Sequence, residues 1–268
     1  MSASKNKTVR DEDLVSLVES KKSVHYSVNQ VSASDIQEFS TCPRRYYLYR
    51  VLRLGELSDR DPKKAANRGS LIHLLLEWDS LDQADELFAR NKVSPDMAEE
   101  LRNLVEHFQG SSFMEKVRQS RQLEKERAFY LQLSQEGQSP RYLKGYIDLM
   151  AWQGDGRLMI VDYKTGRGKA QQKDYQVQAD CYGLAGLFMG AAKVEVVMLR
   201  PEVRDSGGEA ESFHYHYDAE RGTGLRRELV MLMERMEDAH DAPYDFVRSE
   251  YCKAFCSLYG SLCEGGSA

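Results

Sequence analysis

Two short runs of apolar residues near the middle of the chain predict a β-hairpin. The runs cover 145–150 and 158–163, and a polar stretch with two glycines, 153–157, separates them. Short apolar strands joined by a glycine-bearing turn are typical of a hairpin. Each predicted strand carries one carboxylate, so the hairpin is also a candidate functional site.

The carboxylates of the predicted hairpin have a spacing that suits a metal site. Strand side chains alternate between faces, so Asp162 and Lys164 share a face and Tyr163 points the other way. Pairing of the strands brings Asp148 beside Asp162, and adjacent carboxylates are hard ligands for Mg²⁺ or Mn²⁺. A nearby lysine can orient or deprotonate a water for attack on phosphorus. Asp-x-Lys alone would be better explained as an exposed ion pair.

Helical periodicity surrounds the hairpin on both sides. Capping residues at 32–35 predict a helix that runs toward Leu52 and is interrupted at Pro43. Another helix is predicted to begin at 68–70. Further helices are predicted over 81–90, 95–117, 174–189 and 220–238, and strands over 123–133, 194–199 and 213–217. Helices flanking a small mixed β-sheet indicate an α/β fold with helical additions. We expect a flexible N-terminal segment, 1–28, and a single domain, 29–268.

Composition is that of a soluble globular protein. The chain has 268 residues, of which 41% are hydrophobic and 29% charged, and a formal net charge of -5. The acidic balance argues against a generally adhesive nucleic-acid binder, although it allows a local basic groove. We expect a cytoplasmic protein without membrane contact, because the sequence has neither a long apolar run nor a signal-peptide core at its start.

Several blocks of the sequence resemble the RecB-like branch of the PD-(D/E)XK nucleases, as found in AddB and in CRISPR-associated iron-sulfur exonucleases. The blocks lie at 31–36 with 42–47, at 68–73, at 145–148 and 162–166, and at 178–182. Each block alone is weak, but their order and spacing together are a strong signal. The resemblance implies an α/β fold with a restriction-endonuclease-like core.

The resemblance also implies the residues of a catalytic centre. His73, Asp148 and Asp162 would ligate a divalent metal, with the Tyr163 carbonyl as a further oxygen ligand. Lys164 would position or activate the attacking water. Aspartate stands at 162 where many relatives have glutamate. Histidine suits Mn²⁺ better than Mg²⁺, so we expect Mn²⁺ to support activity well.

Polar residues near these motifs have weaker assignments. The resemblance implies that Gln178 and Tyr182, one helical turn apart, contact DNA or orient the site. Taken singly, Tyr182 is better explained by core packing and Gln178 by an exposed helix face; with both acidic motifs in place, the functional role and these structural explanations are about equally good. Glu77, one turn after His73, is better explained as a solvated residue, and Glu126, in the strand before the hairpin, is a candidate only.

Four of the five cysteines form a further pattern. Four thiolates suit a [4Fe-4S] cluster or a structural zinc ion. The resemblance implies the iron-sulfur cluster, with Cys42 in the N-terminal block and Cys252, Cys256 and Cys263 after the core. The family places two and then five residues between the last three cysteines, whereas this chain has three and then six. Cys181, inside a predicted helix, is expected to be a buried core thiol.

These patterns predict a divalent-metal-dependent DNase, an exonuclease that acts on DNA ends or single-stranded DNA in repair, recombination or phage-type DNA processing. One alternative is a CRISPR-adaptation nuclease that trims pre-spacer DNA. Alternatives from other classes are a catalytically silent DNA-end-binding module and a zinc-stapled interaction protein. The sequence has no phosphate-binding Gly-x-x-x-x-Gly-Lys-Ser/Thr loop, so DNA unwinding would need a helicase partner. A recombinase or an integrase would be the other expected partners.

Overall fold

The computed structural model describes residues 28–51, 62–78 and 81–241, together with Cys252, Cys256 and Cys263. Its residues divide into a smaller unit, within Met1–Asp61 and Met231–Ala268, and a larger unit, Pro62–Val230. Except for Val28, the predicted flexible segment 1–28 lies outside the described residues. The single domain over 29–268 stays a prediction.

The smaller unit begins with strand β1 (Gln30–Ser32) and helix α1 (Ala33–Thr41). Ser32 caps α1, because its hydroxyl accepts the Asp35 N–H at 3.1 Å while the Asp35 carboxylate accepts the Ser32 N–H at 2.9 Å. Pro43 opens the next helix, α2 (Pro43–Tyr46), and a π-helical turn, Tyr47–Val51, follows it. The predicted interruption at Pro43 is confirmed, since a proline lacks the N–H that a continuing helix needs.

The larger unit contains a mixed sheet of five strands in the order β2-β3-β4-β5-β6. Strands β4 and β5 are parallel, and the other neighbouring pairs are antiparallel. The bounds are Gln122–Gln132 for β2, Tyr142–Trp152 for β3, Arg157–Tyr163 for β4, Lys193–Arg204 for β5 and Ala210–Asp218 for β6. Strands β3 and β4 form the predicted hairpin, with Leu149 opposite Val161 and Trp152 opposite Leu158.

Helices cover both faces of this sheet. Helix α3 (Pro62–Trp78), α4 (Ala84–Arg90), α5 (Pro95–Gln109) and α6 (Ser112–Arg118) share one buried apolar cluster with Met159, Val161 and Tyr163 of β4. Helix α7 (Gln176–Phe188) lies on the other face, where Gly186 approaches Ile160 and Val194. The last helix, α8 (Ala219–Asp241), follows β6. The prediction of a mixed sheet flanked by helices is confirmed.

Two helix boundaries differ from those that the sequence predicts. Helix α3 begins at Pro62 rather than near 68, and the helix predicted over 95–117 is divided into α5 and α6. The division occurs because Ser111 starts a new helix, its hydroxyl accepting the Met114 N–H at 3.3 Å. Among the residues that the structure describes, none of the helices has the length and apolar character needed to span a bilayer.

A glycine in α7 gives a test of how closely this helix packs on the sheet. A Cβ atom at Gly183 would lie 2.3 Å from a ring carbon of Tyr217 on β6. We expect Gly183→Ala to lower the free energy of unfolding by about 1–3 kcal/mol, since the helix or the ring must shift. Urea denaturation monitored by circular dichroism measures this change.

Gly224 in α8 is the matched control, because a Cβ there would have no neighbour nearer than 3.7 Å. Gly224→Ala should leave stability unchanged or raise it by up to about 1 kcal/mol through helix propensity. Equal effects of the two substitutions would show that α7 does not pack as described.

Candidate active site

Two aspartates face each other at the end of the hairpin opposite its turn. The pairing of Leu149 with Val161 is the last in the ladder, so the next positions are those of Asp148 and Asp162. The backbone N–H of Tyr163 donates to Asp148 Oδ2 at 2.7 Å, which fixes one carboxylate against the neighbouring strand. The predicted juxtaposition of the two carboxylates is therefore present in the register.

Asp162 is a buried carboxylate, 4% exposed, inside a network of polar side chains. Its Oδ2 lies 2.6 Å from Lys164 Nζ, and its Oδ1 accepts hydrogen bonds from the Tyr182 hydroxyl at 2.9 Å and Gln178 Nε2 at 3.3 Å. Lys164 Nζ also donates to Gln178 Oε1 at 2.6 Å. Burial raises the pKa of Asp162 and Lys164 opposes that rise, while the nearby Asp148 adds to it.

Helix α7 supplies the two polar partners of Asp162. Gln178 and Tyr182 are one turn apart, and Gln178 Nε2 also donates to the Tyr182 hydroxyl at 3.0 Å. Burial, followed by the charge of Asp162, raises the pKa of Tyr182, so its hydroxyl stays protonated and can donate. Gln178 and Tyr182 therefore contact Asp162, as one of the two predicted roles, orientation of the site, requires. The other predicted role, contact with DNA, stays a prediction.

His73 reaches Asp148 from helix α3, with 3.4 Å between Nδ1 and Asp148 Oδ2. Helix α3 approaches the segment after β4 at Gly69, where a Cβ atom would lie 2.8 Å from Thr165 Oγ1. A side chain larger than hydrogen at 69 would require either the Thr165 side chain or the helix turn before His73 to shift. The hydrogen bond to Asp148 raises the pKa of His73, because the carboxylate stabilises the imidazolium, and burial opposes this rise.

Glu126 of β2 completes a group of three possible metal ligands. One ligand atom from each of His73, Glu126 and Asp148 lies within 4.8 Å of the others. The three line an open cavity of about 460 Å³ that Glu77 and Thr165 also border. Burial raises the pKa of Glu126, and the charges of Asp148 and Glu77 add to the rise. Repulsion between close carboxylates is relieved when a cation lies between them.

The backbone of Glu126 departs from that of an ordinary strand residue. Its φ is 49°, in the left-handed region that favours glycine. The β2–β3 pairing continues on both sides without a shift, so Glu126 lies across from Asp148. The flanking pairs are Lys125 with Leu149 and Arg127 with Ile147.

The donor set of this group fits a divalent cation. Carboxylate oxygens are hard ligands that suit Mg²⁺ and Mn²⁺, and an imidazole favours Mn²⁺ between the two. Asp162 is not a member of the three-residue group, and its carboxylate contacts Lys164 and Tyr182 instead. The roles of Asp162 and of the Tyr163 carbonyl as metal ligands stay predictions.

The segment after Lys164 is held by two residues of β5 that sequence reasoning missed. Arg200, 3% exposed, donates to the carbonyls of Gly166, at 3.0 Å, and Gly168. Glu202 accepts the Gly166 N–H at 2.8 Å. The sequence predicts that this strand ends at 199, whereas β5 continues to Arg204. The signal for the longer strand is the two-residue spacing of Arg200 and Glu202, which places both side chains on one face of a strand.

The four candidate cluster cysteines all belong to the smaller unit. Burial raises the pKa of Cys42, and the charges of Cys252 and Cys256 add to it. Cys263 behaves likewise, and its pKa responds to all three other thiols. Within the described part of the chain, the four thiols form no group of the closeness seen around His73. Cys181 is fully buried, as predicted for a core thiol.

The sequence and the fold are similar to those of known proteins. A model of the PD-(D/E)XK nuclease superfamily matches residues 30–264. A solved structure named "Putative exonuclease", from Eubacterium rectale, is 15% identical, with a TM-score of 0.51, and the match covers 93% of this chain and 92% of that one. The crystal structure of SSO0001 is also 15% identical, with a TM-score of 0.47 and 95% of both chains covered. No curated protein sequence matches the chain.

Removal of one carboxylate tests the three-ligand group directly. We expect Glu126→Gln to weaken Mn²⁺ binding by roughly ten-fold or more, because the site loses a charged oxygen ligand. Isothermal titration of Mn²⁺ into the protein without DNA measures the affinity.

Glu124→Gln is the control for this titration, since Glu124 lies two residues away on β2 but outside the group. It should bind Mn²⁺ like the wild type. Wild-type affinity in Glu126→Gln would exclude Glu126 from the metal site.

Proposed function

Because the chain belongs to the PD-(D/E)XK nuclease superfamily, we propose that it is a divalent-metal-dependent DNase that hydrolyses phosphodiester bonds. The observation that carries this proposal is the pairing of a possible metal site with a fixed lysine. His73, Glu126 and Asp148 gather three ligand atoms, and across the hairpin the Lys164 ammonium is held 2.6 Å from Asp162. A merely structural hairpin would not need a buried ion pair beside an open carboxylate group.

Each residue of the site has a task in this reaction. A divalent cation bound by His73 and the carboxylates would supply positive charge to the phosphate and favour an ionised water. Asp148 keeps its orientation through the Tyr163 N–H. The register that places Asp162 beside Asp148 supports Asp162 and the Tyr163 carbonyl as further ligands of that cation.

Lys164 is the residue that we propose to orient the attacking water. Its ammonium has three N–H donors, and Asp162 and Gln178 lie at 2.6 Å on two sides of it. A donor therefore remains for a water or a phosphate oxygen. Because Gln178 and Tyr182 also hold Asp162, the position of the ammonium is set by helix α7 before DNA binds.

The finer assignment is a RecB-like exonuclease that acts on DNA ends or single strands in repair or recombination. The sequence blocks described above support it, and so does the fold shared with the Eubacterium rectale protein, whose name describes an exonuclease. A helicase, recombinase or integrase would be the natural partner, because this chain has no sequence motif for unwinding DNA.

We also propose that the smaller unit binds a [4Fe-4S] cluster through Cys42, Cys252, Cys256 and Cys263. Four thiolates are the usual ligands of such a cluster, and an ionised Cys252 or Cys256 would raise the pKa of both Cys42 and Cys263. The Cys256 backbone N–H donates to the Cys252 carbonyl at 3.2 Å, so these two cysteines are one helical turn apart. The cluster would join segments that are far apart in sequence.

Digestion of end-labelled DNA tests the nuclease proposal. With Mn²⁺, the wild type should degrade linear DNA, and Asp148→Asn should be at least roughly 100-fold slower, because the metal and the developing charge lose a partner. Single-stranded linear, duplex linear and closed circular DNA are compared in one experiment. Sparing of the circles would identify an exonuclease.

Asp155→Asn is the matched control, since Asp155 lies in the turn at the other end of the same hairpin and pairs with its neighbour Arg157 at 2.7 Å. It should digest DNA like the wild type. A folded wild type that binds Mn²⁺ but cleaves none of the substrates would overturn the proposal in favour of a DNA-end-binding module.

Substitution of a cysteine tests the cluster. Protein purified without oxygen should be brown and absorb near roughly 400 nm, and Cys256→Ala should lose this absorbance. The free energy of unfolding of Cys256→Ala should also fall by an amount on the order of 5 kcal/mol, which chain entropy assigns to a cross-link between segments as far apart as Cys42 and Cys256. Cys181→Ala, at a fully buried position of α7, should keep the colour. Zinc without iron in the wild type, measured by metal analysis, would contradict the cluster.

A further inference from the structure

Two tyrosines on the β2–β3 pair are the most exposed large apolar side chains of the described residues. Tyr146 is 66% exposed and Tyr130 is 58% exposed. Exposed apolar side chains mark a binding site when they form a continuous patch rather than lying singly on the surface. Neither ring belongs to the nuclease site described above.

These rings belong to one continuous surface. Tyr142, Lys144 and Tyr146 alternate along β3 and share a face, while Leu143 between them is buried. Tyr130 of β2 lies opposite Lys144, and its ring stacks on that of Tyr142 with 4.7 Å between centroids and 18° between planes. We call Tyr130, Tyr142, Lys144 and Tyr146 the tyrosine strip.

The tyrosine strip leads to the candidate active site. Asp148 follows Tyr146 by two residues on β3, so their Cα atoms are separated by about 7 Å along the strand. Stacked bases in a duplex strand are ~3.4 Å apart. Neighbouring bases of an extended single strand can separate to about twice that distance, which matches the interval of about 7 Å between Tyr146 and Asp148. The scissile phosphate at Asp148 and a base at Tyr146 can therefore belong to adjacent nucleotides.

Resting on the proposed nuclease function, we propose that the tyrosine strip binds single-stranded DNA by stacking and guides it to Asp148. Every base has a π-face, and only unpaired bases expose it to a protein ring. The strip carries a single charged group, the Lys144 ammonium, which can meet one phosphate between stacked bases. Glu126 and Asp148 are the acidic groups at its end, where the metal would offset their charge.

Stacking also explains how an acidic chain could hold a polyanion. With a formal net charge of -5, the protein has no general electrostatic attraction for DNA. Stacking on a ring releases no counterions, so its share of the binding free energy does not fall as salt rises, whereas the share from phosphate contacts falls steeply. The strip thus favours single strands over duplex without requiring a basic surface.

Fluorescence anisotropy with a labelled oligothymidylate in EDTA tests the proposal without cleavage. Tyr146→Leu and Tyr130→Leu should each bind the single strand roughly five-fold or more weakly, the lower range for loss of one stacked base. Tyr146→Phe, which keeps the ring, should stay within about two-fold of the wild type. Lys144→Gln should reduce the salt dependence by about one phosphate contact.

Phe188→Leu is the matched control, because Phe188 is an exposed ring, 45% accessible, that belongs to α7 rather than to β2 or β3. It should bind like the wild type. Circular dichroism confirms that each variant folds, as expected for substitutions of exposed residues. The wild type should bind a duplex of the same length more weakly than the single strand. In the leucine variants, the difference between the affinities for single-stranded and duplex DNA should be smaller.

The outcomes separate this proposal from the nuclease proposal. Leucine variants that bind the single strand like the wild type would overturn the strip, whether or not the protein cleaves DNA. Selective loss of single-strand binding would support the strip even if no variant cleaves. A change from dimer to monomer in the leucine variants, measured by sedimentation, would show instead that the strip contacts a second copy of the chain.

Discussion

The buried carboxylate of Asp162 is the constraint on which the rest of the site depends. A charge removed from water is stable only when it is paired and hydrogen-bonded. Lys164 supplies the pairing, and Tyr182 and Gln178 supply the hydrogen bonds from a different element of the fold. One requirement of Asp162 therefore fixes helix α7 against the end of strand β4 and immobilises the lysine.

The alternation of side chains along β4 divides packing from chemistry. Val161 and Tyr163 point into the apolar cluster formed with α3 to α6, whereas Asp162 points toward α7. Because α3 packs on the side of Tyr163, the ring of His73 lies 6.0 Å from the ring of Tyr163 and reaches Asp148 from there. The two faces of one strand thus bring together residues from helices on opposite sides of the sheet.

The features that were predictable from the sequence are those with a local cause. The hairpin, the shared face of Asp162 and Lys164 and the break at Pro43 follow from strand alternation and from proline chemistry. The position of Glu126 depends on the register between β2 and β3, which turns on the whole sheet rather than on neighbouring residues. The division of 95–117 was missed because its apolar spacing outweighed the capping signal of Ser111.

The backbone of Glu126 is the clearest sign that this position serves chemistry. A non-glycine residue with a φ of 49° costs on the order of 1–2 kcal/mol, and a glycine would avoid that cost. Its carboxylate also lies within 4.8 Å of a ligand atom of Asp148, so the charges repel as well. Strain and repulsion both favour another residue at 126 if stability alone mattered. A cation between the carboxylates would offset the repulsion, and the strained backbone would then serve to aim the Glu126 side chain at it.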